Sequence, residues 1–235
     1  MNDANTAQGK AANANGDAGD RATLHFIYDP FCGWCYGVAP LLTEAAAIEG
    51  LKIIPHGGGM LAQERATNMS AKWRDFVRPH EERITALSGQ QFSSAYQTGT
   101  QFDYSVMLDS GPPTAAMLAA EEVSGAGVAM LKKLQSAYYR EGRPIADRKE
   151  IMEIAAEVGL DVARFAPAFA TALETLDRHF EESGALLVKL GGQGYPTLAL
   201  QQGAKLHRFH LAKYLGKPDQ FRKDLDEMLG EPKLA

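Results

Sequence analysis

The sequence predicts a mixed α/β fold in which a βαβ half and a ββα half are separated by a large, all-helical insertion. Three observations support this prediction. Strand-like segments cluster near residues 23–55 and 196–209, helical periodicity fills the interval between them, and a pair of cysteines stands where the first strand gives way to a helix. A chain of 235 residues is long enough to bury a large core.

The βαβ half comes first. Residues 23–28 are predicted to form a buried strand, residues 36–48 a helix, and residues 51–55 a second strand. A crossover helix between two strands implies that the strands are parallel. The Gly57-Gly58-Gly59 run that follows is not succeeded by Gly-Lys-Ser/Thr, so we expect a flexible exit loop rather than a phosphate-binding loop.

Helical periodicity then takes over. The predicted helical segments are 66–77, 79–88, 113–124, 128–140, 147–158 and, with breaks, 161–190. Asp147 and Asp161 are expected to cap the helices that follow them. Large aromatic side chains in this region are expected to form the core of a helical subdomain; they include Trp73, Tyr138, Tyr139 and Phe169.

The ββα half closes the chain. Residues 196–201 and 206–209 are predicted to form a hairpin around a turn at 202–205, followed by an amphipathic helix over 218–229. The predicted domains are therefore a sheet-containing domain, built from residues 23–60 and 185–235, and a helical insertion subdomain over residues 61–184. Residues 1–22 have almost no large apolar side chains, and we expect this tail to be disordered.

Composition excludes several classes of partner. The net charge of −5 argues against nucleic acid or an anionic membrane as the main partner, and no apolar run approaches the roughly 20 residues of a membrane span. The first residues lack the basic start and apolar segment of a secretory signal. We therefore expect a cytosolic protein, in a compartment where a dithiol is more often catalytic than structural.

The motif Cys32-Gly33-Trp34-Cys35 carries the only two cysteines of the chain. Two thiols at this spacing can close a disulfide within one helical turn and exchange it with another molecule through a mixed disulfide. A cysteine at the start of a helix lies near unpaired N–H groups and the positive end of the helix dipole, which favour a thiolate. The pattern therefore predicts a redox-active dithiol.

Three other interpretations of the cysteines stay open at this point. A structural disulfide would close so short a loop that it would contribute only about 2 kcal/mol. A zinc site would need further ligands, which His207 and His210 could supply, although we predict no metal site. The thiols could also be inert and buried.

Four features together resemble the thioredoxin fold of the DsbA family of thiol–disulfide oxidoreductases, over residues 23–230. They are the cysteine pair at a strand-to-helix junction, the insertion between the two halves, Gly194-Tyr195-Pro196-Thr197 before the penultimate strand, and the closing helix. The segment from Tyr28 to Gly37, with its Asp-Pro and aromatic flanks, is similar to the cytosolic FrnE/DsbM-type subgroup.

This resemblance implies roles for individual residues. Cys32 would attack a substrate disulfide and Cys35 would resolve the mixed disulfide. Pro196 would be a cis proline, and Tyr195 would offer backbone groups to substrate, although Gly-Tyr-Pro alone would equally suit a turn. The substrate-binding residues would be Phe31, Gly33, Trp34, Tyr195 and Pro196.

Glutathione is the co-substrate that the resemblance implies, and no tightly bound cofactor is expected. Asp109 and Ser110 precede a helix whose N-terminus could receive a carboxylate such as that of glutathione, although ordinary capping is the favoured explanation for them. The expected substrates are disulfide-containing proteins or small molecules.

The chain departs from the family pattern in three places. Gly33-Trp34 replaces the Pro-His of periplasmic DsbA and supplies no charge, so we expect reduction or isomerisation rather than oxidation. Phe26 stands where the family often has a buried acid, which leaves Asp29 and His25 as candidate proton acceptors for Cys35. The segment from Arg208 to Leu211 lacks the glutathione anchor of kappa-class transferases and chromene-carboxylate isomerases, the glutathione-dependent enzymes that form the alternative function.

Overall fold

The computed structural model describes residues 22–230. The predicted disorder concerns residues 1–22, which lie outside the described residues except for Ala22. The strands are β1 (Thr23–Tyr28), β2 (Lys52–Gly57), β3 (Thr67–Asn68), β4 (Met107–Leu108), β5 (Thr197–Gln202) and β6 (Lys205–Arg208). The helices are α1 (Gly33–Gly37), α2 (Ala39–Ala46), α3 (Ala71–Ser88), α4 (Gly111–Ser124), α5 (Gly127–Tyr139), α6 (Arg148–Glu157), α7 (Val162–Glu174), α8 (Leu176–Lys189) and α9 (Pro218–Gly230).

The main sheet has the strand order β2-β1-β5-β6. β1 and β2 are parallel, as the crossover helix predicted, while β5 is antiparallel to both β1 and β6. In the β1–β5 ladder Ile27 lies opposite Thr197. The end of β1 therefore lies beside the start of β5, and this register brings two distant segments of the chain, Cys32 to Cys35 and Tyr195-Pro196, to one edge of the sheet.

The helix predicted over residues 36–48 is divided into α1 and α2 at Val38. Pro40 is the reason, because it lacks the N–H that would bond to the carbonyl of Tyr36 and its ring crowds that carbonyl. The break leaves α1 as a short helix that has Cys32 as its N-cap and contains Cys35.

The insertion is helical, with two local differences from the sequence prediction. α3 continues through Pro79, where we expected two helices; Pro79 is exposed, so solvent can satisfy the carbonyl of Asp75. Residues 67–68 pair with residues 107–108 as β3 and β4, and α3 begins only at Ala71. The predicted caps are confirmed, because Asp147 and Asp161 each accept a hydrogen bond from the helical N–H two residues later.

Buried side chains form a helical core and a sheet core that meet at Trp34, Met60 and Leu118. α8 covers the opposite face of the sheet, where Leu190 packs near Ile27 and Ala199. The boundary predicted at 184/185 falls inside this helix, and the division into two domains stays a prediction.

Three histidines cluster between the sheet and α8. His25 Nδ1 lies 3.0 Å from His56 Nε2, and His179 Nε2 accepts the N–H of Gly57 at 3.0 Å. Burial, together with the neighbouring His25 and His179, lowers the pKa of His56 to about 4, and burial lowers the pKa of His179. The rings of His56 and His179 are therefore neutral in the folded protein at pH 7.

We expect these histidines to destabilise the fold as the pH falls from 6.5 towards 4, because the unfolded chain takes up protons that the folded chain does not accept. One pKa unit corresponds to about 1.4 kcal/mol, and solvent screening keeps the contribution of His56 below about 3 kcal/mol. Urea unfolding at pH 7 and pH 5 should show a smaller pH difference for His56→Gln than for the wild type. The exposed control His210→Gln should keep the wild-type difference. The same pH difference in all three proteins would contradict the role of His56 in this loss of stability.

Candidate active site

Cys32 lies at the junction between β1 and α1, as predicted. It is the N-cap residue of α1, with extended backbone angles, and its carbonyl accepts the N–H groups of Cys35 at 2.9 Å and Tyr36 at 3.1 Å. Its own N–H donates to the carbonyl of Asp29 at 3.1 Å. These bonds fix the turn that carries the first thiol.

The two thiols are unbonded and differ in exposure. Cys32 is 8% exposed, whereas Cys35 is fully buried at 0%. Burial, with a hydrogen bond to Cys32, raises the pKa of Cys35 well above its usual value. Cys35 therefore holds its proton until a base removes it, while Cys32 is the sulfur that an incoming molecule can reach.

Tyr195 and Pro196 lie beside this pair. The bond between them is cis, as predicted, and the carbonyl of Tyr195 lies 3.7 Å from the Cys32 sulfur, from which it accepts a hydrogen bond. The phenol of Tyr195 donates to the carbonyl of Gly58 at 2.8 Å. The backbone of Tyr195 thus borders the reactive sulfur while its ring is tied to the end of β2.

The glycine run that we expected to form an exit loop starts at Gly57, the last residue of β2, and continues into the connection at Gly58 and Gly59, where glycine is also required for packing. A Cβ on Gly58 would lie 2.1 Å from the ring of Tyr195, and one on Gly57 would lie 2.4 Å from the side chain of Thr114. Only glycine leaves room for these neighbours. The run of three glycines was the visible signal, but the sequence did not show which side chains approach it.

Asp29, three residues before Cys32, is fully buried. Its carboxylate accepts the N–H groups of Phe31 at 2.9 Å and Met60 at 2.6 Å. Burial raises the pKa of this carboxyl to about 6, and a hydrogen bond from the Ser110 hydroxyl opposes the rise. The charge of Asp29 also contributes to the raised pKa of Cys35.

His25, the other candidate proton acceptor, is on the wrong face of the sheet. Side chains alternate along a strand, so Phe26 and Tyr28 of β1 share one face with the cysteines, and His25 and Ile27 share the other. His25 is also engaged with His56 and with Gln201 at 2.8 Å. The expectation that His25 could serve Cys35 is therefore wrong.

The predicted substrate-binding residues lie around the pair. Trp34 is half-buried, and its indole N–H donates to His80 Nδ1 at 3.4 Å. Phe31 packs edge-on against Tyr138, and Gly33 faces Ile84 so closely that a Cβ there would lie 3.1 Å from its methyl group. These contacts join α1 to the insertion.

A cavity of about 370 Å³ opens between α1 and α3, next to Cys32. Its walls are formed by Phe31, Cys32, Gly33, Trp34, Met60, Trp73, Phe76, Val77, His80, Glu81, Ile84, Tyr96, Tyr138, Tyr139, Gly194 and Tyr195. We expected Trp73 in the core; it is instead half-buried in this wall, whereas Phe169 is buried in the core as predicted.

Asp109 and Ser110 have local roles. Asp109 accepts the N–H of Gly111 at 2.8 Å. Ser110 is fully buried at 0% exposure, and its hydroxyl oxygen accepts the N–H of Leu61 at 3.1 Å. The same hydroxyl lowers the pKa of Asp29. A contact between these residues and glutathione stays a prediction, and the burial of Ser110 disfavours it.

Within residues 22–230, no three His, Cys, Asp or Glu side chains are grouped so that they could hold a metal ion. The helices in that range are also too short or too polar to cross a bilayer.

Comparison with known proteins adds to this geometry. A family model described as a DSBA-like thioredoxin domain matches residues 23–219. The cytosolic disulfide reductase DsbM from Pseudomonas aeruginosa is 45% identical, with a TM-score of 0.83 over 88% of this chain and 98% of that chain. The structure of DsbM with GSH gives the same identity and coverage and a TM-score of 0.81.

A putative protein disulfide isomerase from Nitrosomonas europaea is 20% identical, with a TM-score of 0.69 over 89% of this chain and 98% of that chain. At this identity the likeness shows the fold alone. No curated protein matched the chain.

Proposed function

This chain belongs to the DSBA-like thioredoxin domain family of thiol–disulfide oxidoreductases, and we propose that it is a cytosolic disulfide reductase that cycles Cys32 and Cys35 and is regenerated by glutathione. The observation that carries the proposal is the asymmetric dithiol, in which a reachable Cys32 beside the Tyr195 carbonyl is backed by a buried, protonated Cys35. The likeness to DsbM, a cytosolic disulfide reductase with a GSH-containing structure, supports reduction as the direction of the reaction and glutathione as the co-substrate.

The proposed reaction has two exchanges. The Cys32 thiolate attacks one sulfur of a disulfide R–S–S–R′, which forms Cys32–S–S–R and releases R′–S⁻. Cys35 then loses its proton and attacks the Cys32 sulfur, which releases R–S⁻ and leaves a Cys32–Cys35 disulfide. The dithiol gives up two electrons, and two glutathione molecules restore it as they become glutathione disulfide.

Asp29 supplies the proton acceptor for the second exchange in this proposal. It is a fully buried carboxyl whose charge interacts with Cys35, and a pKa of about 6 leaves it mostly ionised at pH 7 but still able to take up a proton. The groups whose charges interact with it are Tyr28, Cys35, Arg65 and Tyr195. The pKa of about 6 and the electrostatic interaction with Cys35 support this assignment.

A redox titration of the Cys32–Cys35 pair against glutathione tests whether the protein reduces or oxidises its substrate. We expect a potential near that of thioredoxin, about −270 mV, because Gly33-Trp34 provides no charge to favour the thiolate as strongly as the Pro-His of DsbA does. Reduction of a disulfide substrate coupled to glutathione should be lost in Cys32→Ser without loss of the fold. A potential near −120 mV would reverse the direction, and an unaffected rate in Cys32→Ser would refute the proposal.

A further inference from the structure

The apolar cavity beside Cys32 has no role in the exchange chemistry itself. Its volume of about 370 Å³ is more than twice the roughly 150 Å³ at which an apolar protein cavity binds benzene. Cys32 forms part of its wall, so a group attached to the sulfur that bonds to Cys32 lies at its entrance.

Two ionisable side chains in the wall, His80 and Glu81, take part in hydrogen bonds with neighbouring residues. His80 Nδ1 accepts the indole N–H of Trp34. One oxygen of Glu81 accepts hydrogen bonds from Tyr96 and Gln101, both at 2.8 Å, while its other oxygen is buried without a hydrogen-bond partner among the described residues, and burial raises the pKa of this carboxyl. Within residues 22–230, no lysine or arginine lines the cavity to pair with the carboxylates of a glutathione molecule, and burying those charges without partners would be costly.

Most of the remaining wall is aromatic or aliphatic and comes from α1 and from the helical insertion. α3 contributes Trp73, Phe76 and Val77 from one face, opposite Trp34 of α1. Such a surface favours a flat apolar group, because aromatic rings gain both from burial and from edge or stacking contacts. Since Cys32 is only 8% exposed, a group carried directly on the attacked sulfur reaches the cavity more readily than a side chain elsewhere in a folded protein.

We propose that this cavity is a specificity pocket for small-molecule disulfides in which the sulfur that bonds to Cys32 carries an arylalkyl group. The inference rests on the disulfide-reductase function proposed above. In a mixed disulfide of glutathione and an arylmethyl thiol, the aryl group enters the cavity, the Cys32–S bond forms to the arylmethyl sulfur, and glutathione leaves as its thiolate. Cys35 then attacks Cys32, the arylmethyl thiolate is released, and the two electrons come from the dithiol.

Single-turnover reduction by the pre-reduced protein, with no other thiol present, tests this inference. The substrates are glutathione mixed disulfides with 2-naphthylmethanethiol and with 2-mercaptoethanol, and a peptide that carries Trp beside its glutathionylated cysteine. We expect a second-order rate constant at least about tenfold higher for the naphthylmethyl disulfide than for the other two, the scale at which apolar pockets discriminate.

Val77→Trp fills the cavity from α3 and should remove most of this preference. Ala86→Trp places the same side chain on an exposed position of α3 outside the cavity wall and should keep it. Phe76→Ala trims a wall residue that is 59% exposed, so it should fold normally and also lower the preference, which covers the case in which Val77→Trp does not fold.

The outcomes separate the two proposals. Reduction of none of the substrates by the wild type would refute the disulfide-reductase function itself. Reduction of all three at similar rates, a preference for the peptide alone, or a preference unchanged in both Val77→Trp and Phe76→Ala would overturn the pocket while leaving the reductase function intact.

Discussion

Replacing Cys35 with Ser is expected to stop turnover and to leave the protein covalently bound to its substrate through Cys32. The fully buried Cys35 is the sulfur that resolves the mixed disulfide in the proposed cycle, so without it the first exchange proceeds and the second cannot. In the absence of glutathione, intact-mass measurement should show one substrate adduct per chain. Cys32→Ser, its matched control, should show neither turnover nor adduct.

The same pair of variants distinguishes the proposed disulfide reductase from a glutathione-dependent isomerase or transferase. A glutathione-dependent isomerase or transferase does not cycle the dithiol, so its activity with glutathione would survive in Cys35→Ser. Turnover at the wild-type rate in that variant would therefore contradict the dithiol cycle. Thermal unfolding of both variants should show that each is folded, because a serine replaces each sulfur with little change in volume.

Replacing Asp29 with Asn is expected to slow the release of the mixed disulfide by about 100-fold at pH 7, the lower range for loss of a general base. In the wild type this step should slow as the pH falls below about 6, because protonation removes the acceptor for the Cys35 proton. In Asp29→Asn the break near pH 6 should disappear, since hydroxide alone then removes the proton. Reactions run at pH values between 5 and 8 are quenched with acid, and mass measurement of the remaining adduct gives the pH profile of each protein.

Two further variants separate proton transfer from a structural role of Asp29. Ser110→Ala removes the hydroxyl whose hydrogen bond lowers the pKa of Asp29, so the break should move to higher pH. Asp219→Asn alters an exposed carboxylate of α9 and should leave the profile unchanged. An unaltered profile in Asp29→Asn, with normal adduct formation, would exclude Asp29 as the proton acceptor.

Much of the fold could be predicted because its signals are local. The strand patterns, the aspartate caps and the closing helix each arise from a few neighbouring residues, and they appear in the structure within a few positions of the prediction. The errors also have local causes. Pro40 breaks a predicted helix, whereas Pro79 was expected to break one and does not, because its exposed position lets solvent replace the missing hydrogen bond.

The surroundings of the dithiol were harder to predict because they depend on contacts between distant segments. Gly58 and Tyr195 are far apart in sequence, yet the close approach of the ring is what makes glycine necessary there. Trp73 has the apolar character of a core residue, and only the gap between α1 and α3 makes it part of a cavity wall. Asp29 was one of two candidates until the alternation of β1 placed His25 on the opposite face.

The sequence by itself determined the reactive group, because thiol chemistry depends on the residue types and on the three-residue spacing of Cys32 and Cys35. It also determined the order along the chain of the four main-sheet strands and the helical character of the insertion, since hydrophobic periodicity is a property of neighbouring residues. Only the tertiary structure decided which of the two thiols is exposed and which carboxylate interacts with the buried Cys35. It also decided which cavity Cys32 lines. Burial and electrostatic environment arise from segments that the β1–β5 register and the insertion bring together, and no local pattern records them.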